Sequence, residues 1–484
     1  MVQFPRLSKF AHTKTVATIG PASNSLEMLK ILIDEGVDVF RLNMAHGTRA
    51  DHDLAVQQIR LASDQLQWPV AILIDLAGPK IRLGQLHTDP LCLIPGAEVE
   101  FVRGTQSASP LQLTCSYENL VDEVAAGDTI VLSDGLVRLI VKRKAGDCVV
   151  CEVVDGGEIR SRQGVNLPGV KLKLTALSDV DRDNAAWGAK VGVDFVGLSF
   201  VRTAQEVNEL KALLRANDSQ AMVIAKIEKS EALDHLVEII SAADAIMVAR
   251  GDLGVEIRIE KTPIAQKRII ETCQRLSKPV IVATQMLESM HTNRQPTRAE
   301  VTDVANAILD GADACMLSGE TAIGSYPRDA VAMMHRIMHE TEPLLAHRTA
   351  LALDDEIFKR QGITEAVVFG AGQIAKRLTA KAVVIATASG QAALVKSKHR
   401  DFIPTLAVTD SRQVAQQMCL LWGICPIYCE EINDTETLTH IINEWAVQDD
   451  SFVDGDRIVI VLDTKTVPGT LDSIVVMRIR KPKS

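Results

Sequence analysis

Lys226-Ile227-Glu228 near the end of one apolar run, and Arg250-Gly251-Asp252 at the end of the next, are residue types that can hold a charged oxygen. Residues two apart in a strand share a face, so the Lys226 ammonium and the Glu228 carboxylate are expected together. With Asp252 at the neighbouring strand end, two carboxylates and a lysine suit a divalent cation beside a fixed positive charge. That combination stabilises enolates and phosphates. An internal ion pair between strands is the structural alternative.

The elements that must position these groups are legible as β-branched runs at 15–19, 37–42, 70–75, 193–198, 222–227, 245–249, 280–284 and 314–317, separated by helical patterns. Eight such units predict an α/β fold, a (β/α)8 barrel with its chemistry at the C-terminal strand ends. Those ends carry Arg41, Asn43, Asp75, Ser199, Lys226, Glu228, Asp252, Thr284, Ser318 and Glu320. After the third strand, short alternating runs between about 84 and 164 predict an inserted all-β lid domain that can exclude water. Pro343 and the charged stretch around it predict a boundary, followed by a C-terminal α/β regulatory domain with strands at 382–387, 405–408, 426–429 and 457–462. The expected division is 1–83 with 165–343 for the barrel, 84–164 for the lid and 344–484 for the last domain. In that domain, Thr387-Ala388-Ser389-Gly390 joins a strand to a helix and could hold phosphate, or serve as an ordinary cap.

A net charge of -10 argues against a nucleic-acid-binding surface and points to small-molecule substrates. No apolar run is long enough for a membrane helix, so a cytoplasmic protein is expected. The nine cysteines lie mostly in apolar surroundings and read as reduced core thiols; Cys148-Val149-Val150-Cys151 has half of a zinc spacing but no matching half.

Eight ordered motifs give the chain a close resemblance to the pyruvate kinase family over essentially its whole length. They are Thr18-Ile19-Gly20-Pro21-Ala22-Ser23, Arg41-Leu42-Asn43-Met44-Ala45-His46-Gly47, Val165-Asn166-Leu167-Pro168-Gly169, Lys226-Ile227-Glu228, Val248-Ala249-Arg250-Gly251-Asp252-Leu253-Gly254, Ala283-Thr284-Gln285-Met286-Leu287-Glu288-Ser289-Met290, Pro296-Thr297-Arg298-Ala299-Glu300 and Met316-Leu317-Ser318-Gly319-Glu320-Thr321-Ala322. The resemblance implies phosphoryl transfer from phosphoenolpyruvate to ADP, giving pyruvate and ATP, the last step of glycolysis, in a homotetramer. It implies Mg2+ or Mn2+ on Glu228 and Asp252, with Lys226 compensating charge on the phosphoryl group and enolate. Arg41 and Arg82 would hold the phosphate with planar N–H forks. Thr284 would act near enolate protonation, Ser199 would contribute to substrate binding, and backbone N–H groups of Ala249, Arg250, Gly251 and Asp252 would receive the substrate carboxylate. Arg41, Asn43, His46, Asp134 and Arg162 would meet the nucleotide.

Two departures from the family pattern stand out. Where many members read Asp-Thr-Lys-Gly-Pro-Glu-Ile-Arg and bind potassium, this chain reads Asp75-Leu76-Ala77-Gly78-Pro79-Lys80-Ile81-Arg82, and Ala45 replaces a ligating serine. Lys80, with Asn43 and Asp75, is therefore expected to supply the charge of the monovalent cation, so that K+ is not required. In the last domain Thr387, Ser389 and Gly390 match a sugar-phosphate loop, but Gln391-Ala392-Ala393 lacks the serine that often completes it. The segment from Val467 to Asp472 is also short for the family's second effector loop. These departures argue against fructose bisphosphate as the activator and leave another sugar phosphate, a nucleotide or loss of regulation as the alternatives.

Overall fold

The computed structural model of the protein describes residues 11–170, 172–351, 362–430, 432, 435–462 and 473–481. Eight parallel strands close a barrel in chain order: Lys14–Thr18, Val39–Asn43, Ala71–Asp75, Phe195–Leu198, Met222–Ile227, Ala245–Ala249, Val280–Ala283 and Ala314–Leu317. The eighth pairs with the first, Lys14 opposite Ala314. Ala71–Asp75 and Ala245–Ala249 are buried along their whole length, because one face fills the barrel and the other meets the helices. Val39, Leu73, Phe195, Ile224, Met247 and Ile281 pack inside, while Phe40, Ile72, Val196, Val223, Ile246 and Val282 belong to the core beneath the helices. Burying each such side chain stabilises the fold by roughly 1.5–3 kcal/mol. Helices start where Thr or Ser precedes an acid by three residues: Thr48 with Asp51, Ser178 with Asp181 and Thr297 with Glu300 each form a capping box.

A second repeat closes the barrel's N-terminal face. Asp38, Asp194, Asp244 and Asp313 each precede a strand and accept the first free N–H of the neighbouring strand, from Thr15, Ile72, Val223 and Val280 at 2.6–2.8 Å. Each has a cation: Lys14, Arg60, Lys211, and for Asp313 both Lys398 and Arg400. These last two come from the C-terminal domain, so the strand-closing carboxylate also docks that domain.

The inserted segment forms a six-stranded sheet in the order Val165–Asn166, Thr129–Leu132, Val137–Ala145, Cys148–Asp155, Glu98–Val102 and Gln112–Leu113, with its own core. Val165–Asn166, expected at the return to the barrel, pairs with the lid strand instead, and Ile81 and Leu83 also join the lid core. The C-terminal sheet runs Ile424–Tyr428, Thr405–Thr409, Ala382–Ala386, Arg457–Leu462 and Ser473–Arg478; the first four are parallel and the last is antiparallel. That fifth strand lies beyond the four that the sequence predicts, because its half-exposed edge position weakens the apolar signal. Pro343 does not break the chain either: the helix Pro327–Leu351 runs through it. No helix among the described residues is long and apolar enough to cross a membrane.

Candidate active site

Four charges meet below the C-terminal rim of the barrel. The buried Lys226 Nζ lies 2.8 Å from Glu228 Oε1 and 3.1 Å from Asp75 Oδ1, and donates to Ser199 Oγ at 2.7 Å. Ser199 in turn donates to the Leu76 carbonyl at 2.6 Å, which fixes the serine as an orienting acceptor for the ammonium. Arg41 donates through Nε to Asp75 Oδ2 at 2.7 Å and through Nη1 to Thr18 Oγ1 at 3.1 Å. Thr18 opens the first of the eight motifs, but nothing in the sequence assigns its hydroxyl to Arg41. Burial opposes a charge on Lys226, but Asp75 and Glu228 outweigh it and hold its pKa above the ordinary value. Burial likewise opposes the Asp75 charge; Lys226 and Arg41 prevail and lower its pKa. Glu228 comes out the other way, raised by burial and by the repulsion of Asp252 despite the pull of Lys226. Its second oxygen accepts the Phe200 N–H at 2.7 Å.

Asp252 does not close a strand, as its spacing suggested. The strand ends at Ala249, and Asp252 occupies the first turn of the helix Arg250–Glu256. There its side chain is partly exposed, and Lys80 Nζ stands 3.7 Å from its Oδ1. Lys80 is therefore paired with Asp252 and not with Asp75, whose carboxylate is taken by Arg41 and Lys226. Asn43, the other expected partner, accepts the Ala45 N–H at 3.1 Å.

The rim after the seventh strand is strained. Thr284 and Gln285 have φ of 68° and 53°, left-handed values that a β-branched residue rarely adopts. Arg250 holds this turn, donating to the carbonyls of Ala283 at 3.3 Å, Thr284 at 2.6 Å and Gln285 at 3.3 Å, with Asp303 Oδ2 2.7 Å from its Nη1. Its side chain is thus committed to structure. Thr284 Oγ1 accepts the Gly251 N–H at 2.9 Å, leaving its own hydroxyl proton free to donate. Glu320 is likewise structural: its carboxylate accepts from Leu287 N at 3.1 Å and Ser318 N at 2.7 Å.

Arg41, expected to meet the nucleotide as well, belongs to the charged cluster; His46, Asp134 and Arg162 lie on the loop and lid. His46 is exposed on the loop after the second strand. Arg82 reaches across the lid junction to the Arg162 carbonyl at 3.2 Å, and the Arg162 side chain is exposed. The Asp134 side chain lies outside the described residues; its backbone belongs to the lid turn Ser133–Gly135. In the last domain Thr387 Oγ1 accepts Gly390 N at 3.1 Å, and Gly390, at φ 77°, caps the helix Gln391–His399. Ser389 and Gly390 line a cleft of about 360 Å³ against Phe195, Met222 and Lys278, at the N-terminal end of the barrel and away from the charged rim. The segment 467–472 lies outside the described residues.

The family model described as "Pyruvate kinase, barrel domain" matches residues 10–331, and "Pyruvate kinase, alpha/beta domain" matches 365–477. The chain belongs to the pyruvate kinase family. A pyruvate kinase of Staphylococcus saprophyticus is 42% identical over 457 residues, covering 94% of this chain and 78% of the relative. One from Geobacillus stearothermophilus is 40% identical over 452 residues, covering 93% and 77%. The barrel and the α/β domain follow the order that the sequence led one to expect.

Proposed function

We propose that this pyruvate kinase transfers the phosphoryl group of phosphoenolpyruvate to ADP at the rim formed by Lys226, Glu228, Asp252 and Thr284, with Mg2+ or Mn2+ on Glu228 and Asp252 and without a potassium requirement. The observation that carries the metal assignment is Glu228: a buried carboxylate whose pKa burial and a second carboxylate hold up is one whose charge a divalent cation would relieve. Both candidate ligands are hard oxygen donors, and Asp252 remains partly open to solvent. When bound, that ion supplies positive charge to the substrate's carboxylate and phosphate.

The chain's own groups account for the rest. Arg41 and Lys226, already held by Asp75, present two fixed cations where charge develops as the phosphoryl group leaves the enol oxygen for the β-phosphate oxygen of ADP. Ser199 keeps the ammonium in place. Arg82 adds a second guanidinium to the phosphate from the lid junction. The remaining enolate takes a proton at its methylene carbon through water next to Thr284, whose hydroxyl hydrogen is free. The turn from Ala249 to Asp252 receives the substrate carboxylate. Asn43, His46, Asp134 and Arg162 border the path of ADP, and the Thr387–Gly390 loop is assigned to a sugar-phosphate or nucleotide effector. The proposed assembly is the family's homotetramer, and the domain limits are those stated from the sequence except at the lid junction.

Potassium independence rests on Lys80. Its ammonium stands beside Asp252, so the positive charge is covalently supplied next to a proposed metal ligand. The test is ATP formation from phosphoenolpyruvate and ADP with Mg2+, titrating KCl into a medium free of alkali-metal ions. Activation below about twofold is expected, and activation of tenfold or more overturns the role of Lys80. Full activity without any divalent ion overturns the metal assignment.

A further inference from the structure

We infer that Glu256 is a positioning residue that ties the lid to the metal-binding elements of the barrel, and that Asn166 is its partner on the lid. Glu256 ends the helix whose first turn carries Asp252. Its side chain is 1% exposed, yet it touches none of the groups assigned to substrate or metal. Oε1 accepts from Lys229 Nζ at 2.7 Å and from Asn166 Nδ2 at 3.4 Å; Oε2 is buried and has no hydrogen-bond partner among the described residues. A buried carboxylate held this way is costly, and an apolar residue would end a seven-residue helix at lower cost.

What the charge achieves is a junction of three elements. Lys229 directly follows Glu228, so it carries one end of the proposed metal pair, and the Arg250–Glu256 helix carries the other. Asn166 is a strand residue of the lid sheet, opposite Val131. The lid turn Ser133–Gly135 reaches the same helix, since a Cβ built on Gly135 would lie 3.8 Å from Val255 Cγ2. Movement of the lid therefore acts on Glu256, and through it on both Glu228 and Asp252. Because a single carboxylate oxygen serves both donors, the contact on one side alters the contact on the other. The inference rests on Glu228 and Asp252 as the metal pair.

The test uses the full chain with Asn166→Ala, Glu256→Gln and the double variant. Amide hydrogen exchange in residues 129–132 and 165–166, without metal or nucleotide, should rise at least about fivefold in each single variant. In the same variants kcat should fall about tenfold while KM for phosphoenolpyruvate changes much less, and the double variant should be no worse than the weaker single one. Mn2+ alone, followed by electron paramagnetic resonance, should bind about fivefold more weakly to Asn166→Ala, a residue expected not to touch the ion. Unchanged lid exchange, or additive losses of kcat, overturns the proposal, as does a fall in melting temperature with kcat and Mn2+ affinity intact. Glu228→Gln serves as the separate control: if it leaves Mn2+ affinity unchanged, the metal pair is the part that failed.

Discussion

Lys80 and Lys226 show how two residues of one type acquire different roles. Lys226 is enclosed by Asp75 and Glu228, whose charges hold its own against the cost of burial. Lys80 is about one-third exposed and meets a single carboxylate at 3.7 Å, so it contributes charge more than it contributes stability. Lys80→Glu would place an anion next to Asp252 where the native chain has a cation. We expect kcat in potassium-free medium to fall about a hundredfold and KCl to restore at least about tenfold, read in a coupled assay. Equal loss with and without KCl would count against the charge argument. The melting temperature should barely move.

At the scale of elements, the strained turn at Thr284 is held from beneath by Arg250. Backbone in the left-handed region costs about 1–3 kcal/mol for such a residue and persists only when its surroundings fix it. Arg250 does so with one planar fork shared among three carbonyls and Asp303. A lysine cannot reproduce that fork. Arg250→Lys is therefore expected to lower kcat about tenfold while KM for ADP stays within about twofold, because the turn that orients the Thr284 hydroxyl loosens. An unchanged kcat would mean that the strand end alone fixes the turn.

Across the whole molecule, one buried carboxylate joins the barrel to the C-terminal domain, beside lesser contacts such as Arg412 with Asp64 and Gln417 with the Gln220 carbonyl. Asp313 receives Lys398 at 2.8 Å and Arg400 at 2.9 Å, all buried, while also closing the barrel at Val280. Asp313→Ala leaves two buried cations uncompensated, a loss of about 3–5 kcal/mol. Calorimetry should show the C-terminal domain melting ahead of the barrel, whereas a single transition at the native temperature would show docking to be independent of Asp313. Acid should weaken the same domain. Burial, helped by the charge of Lys396, lowers the His399 imidazole from 6.5 to about 4. The unfolded chain takes up that proton first, so stability is full above pH 6.5 and falls as the pH drops towards 4, by up to about 3 kcal/mol. Asp194, raised to about 6 mainly by burial, changes stability in the opposite sense over the same range. Denaturant unfolding of His399→Gln at pH 7 and pH 5 isolates the histidine: the variant should lose less stability on acidification than the native chain.

The sequence by itself determined the barrel and that Arg41, Asp75, Ser199, Lys226 and Glu228 share one end of it, but not that Thr18 joins them. Fully buried parallel strands must be apolar throughout, so polar residues such as Lys226 and Glu228 at their ends stand out in one dimension. It also carried the strand-closing repeat at Asp38, Asp194, Asp244 and Asp313, whose meaning is visible only once the neighbouring N–H groups are in place. Tertiary structure decided which charge meets which. Lys80 stands beside Asp252 while Arg41 and Lys226 pair with Asp75, and Asn166 reaches Glu256 because its strand joins the lid. These partners lie 172 and 90 residues apart, and each pairing depends on which elements the fold brings side by side, which no local pattern encodes.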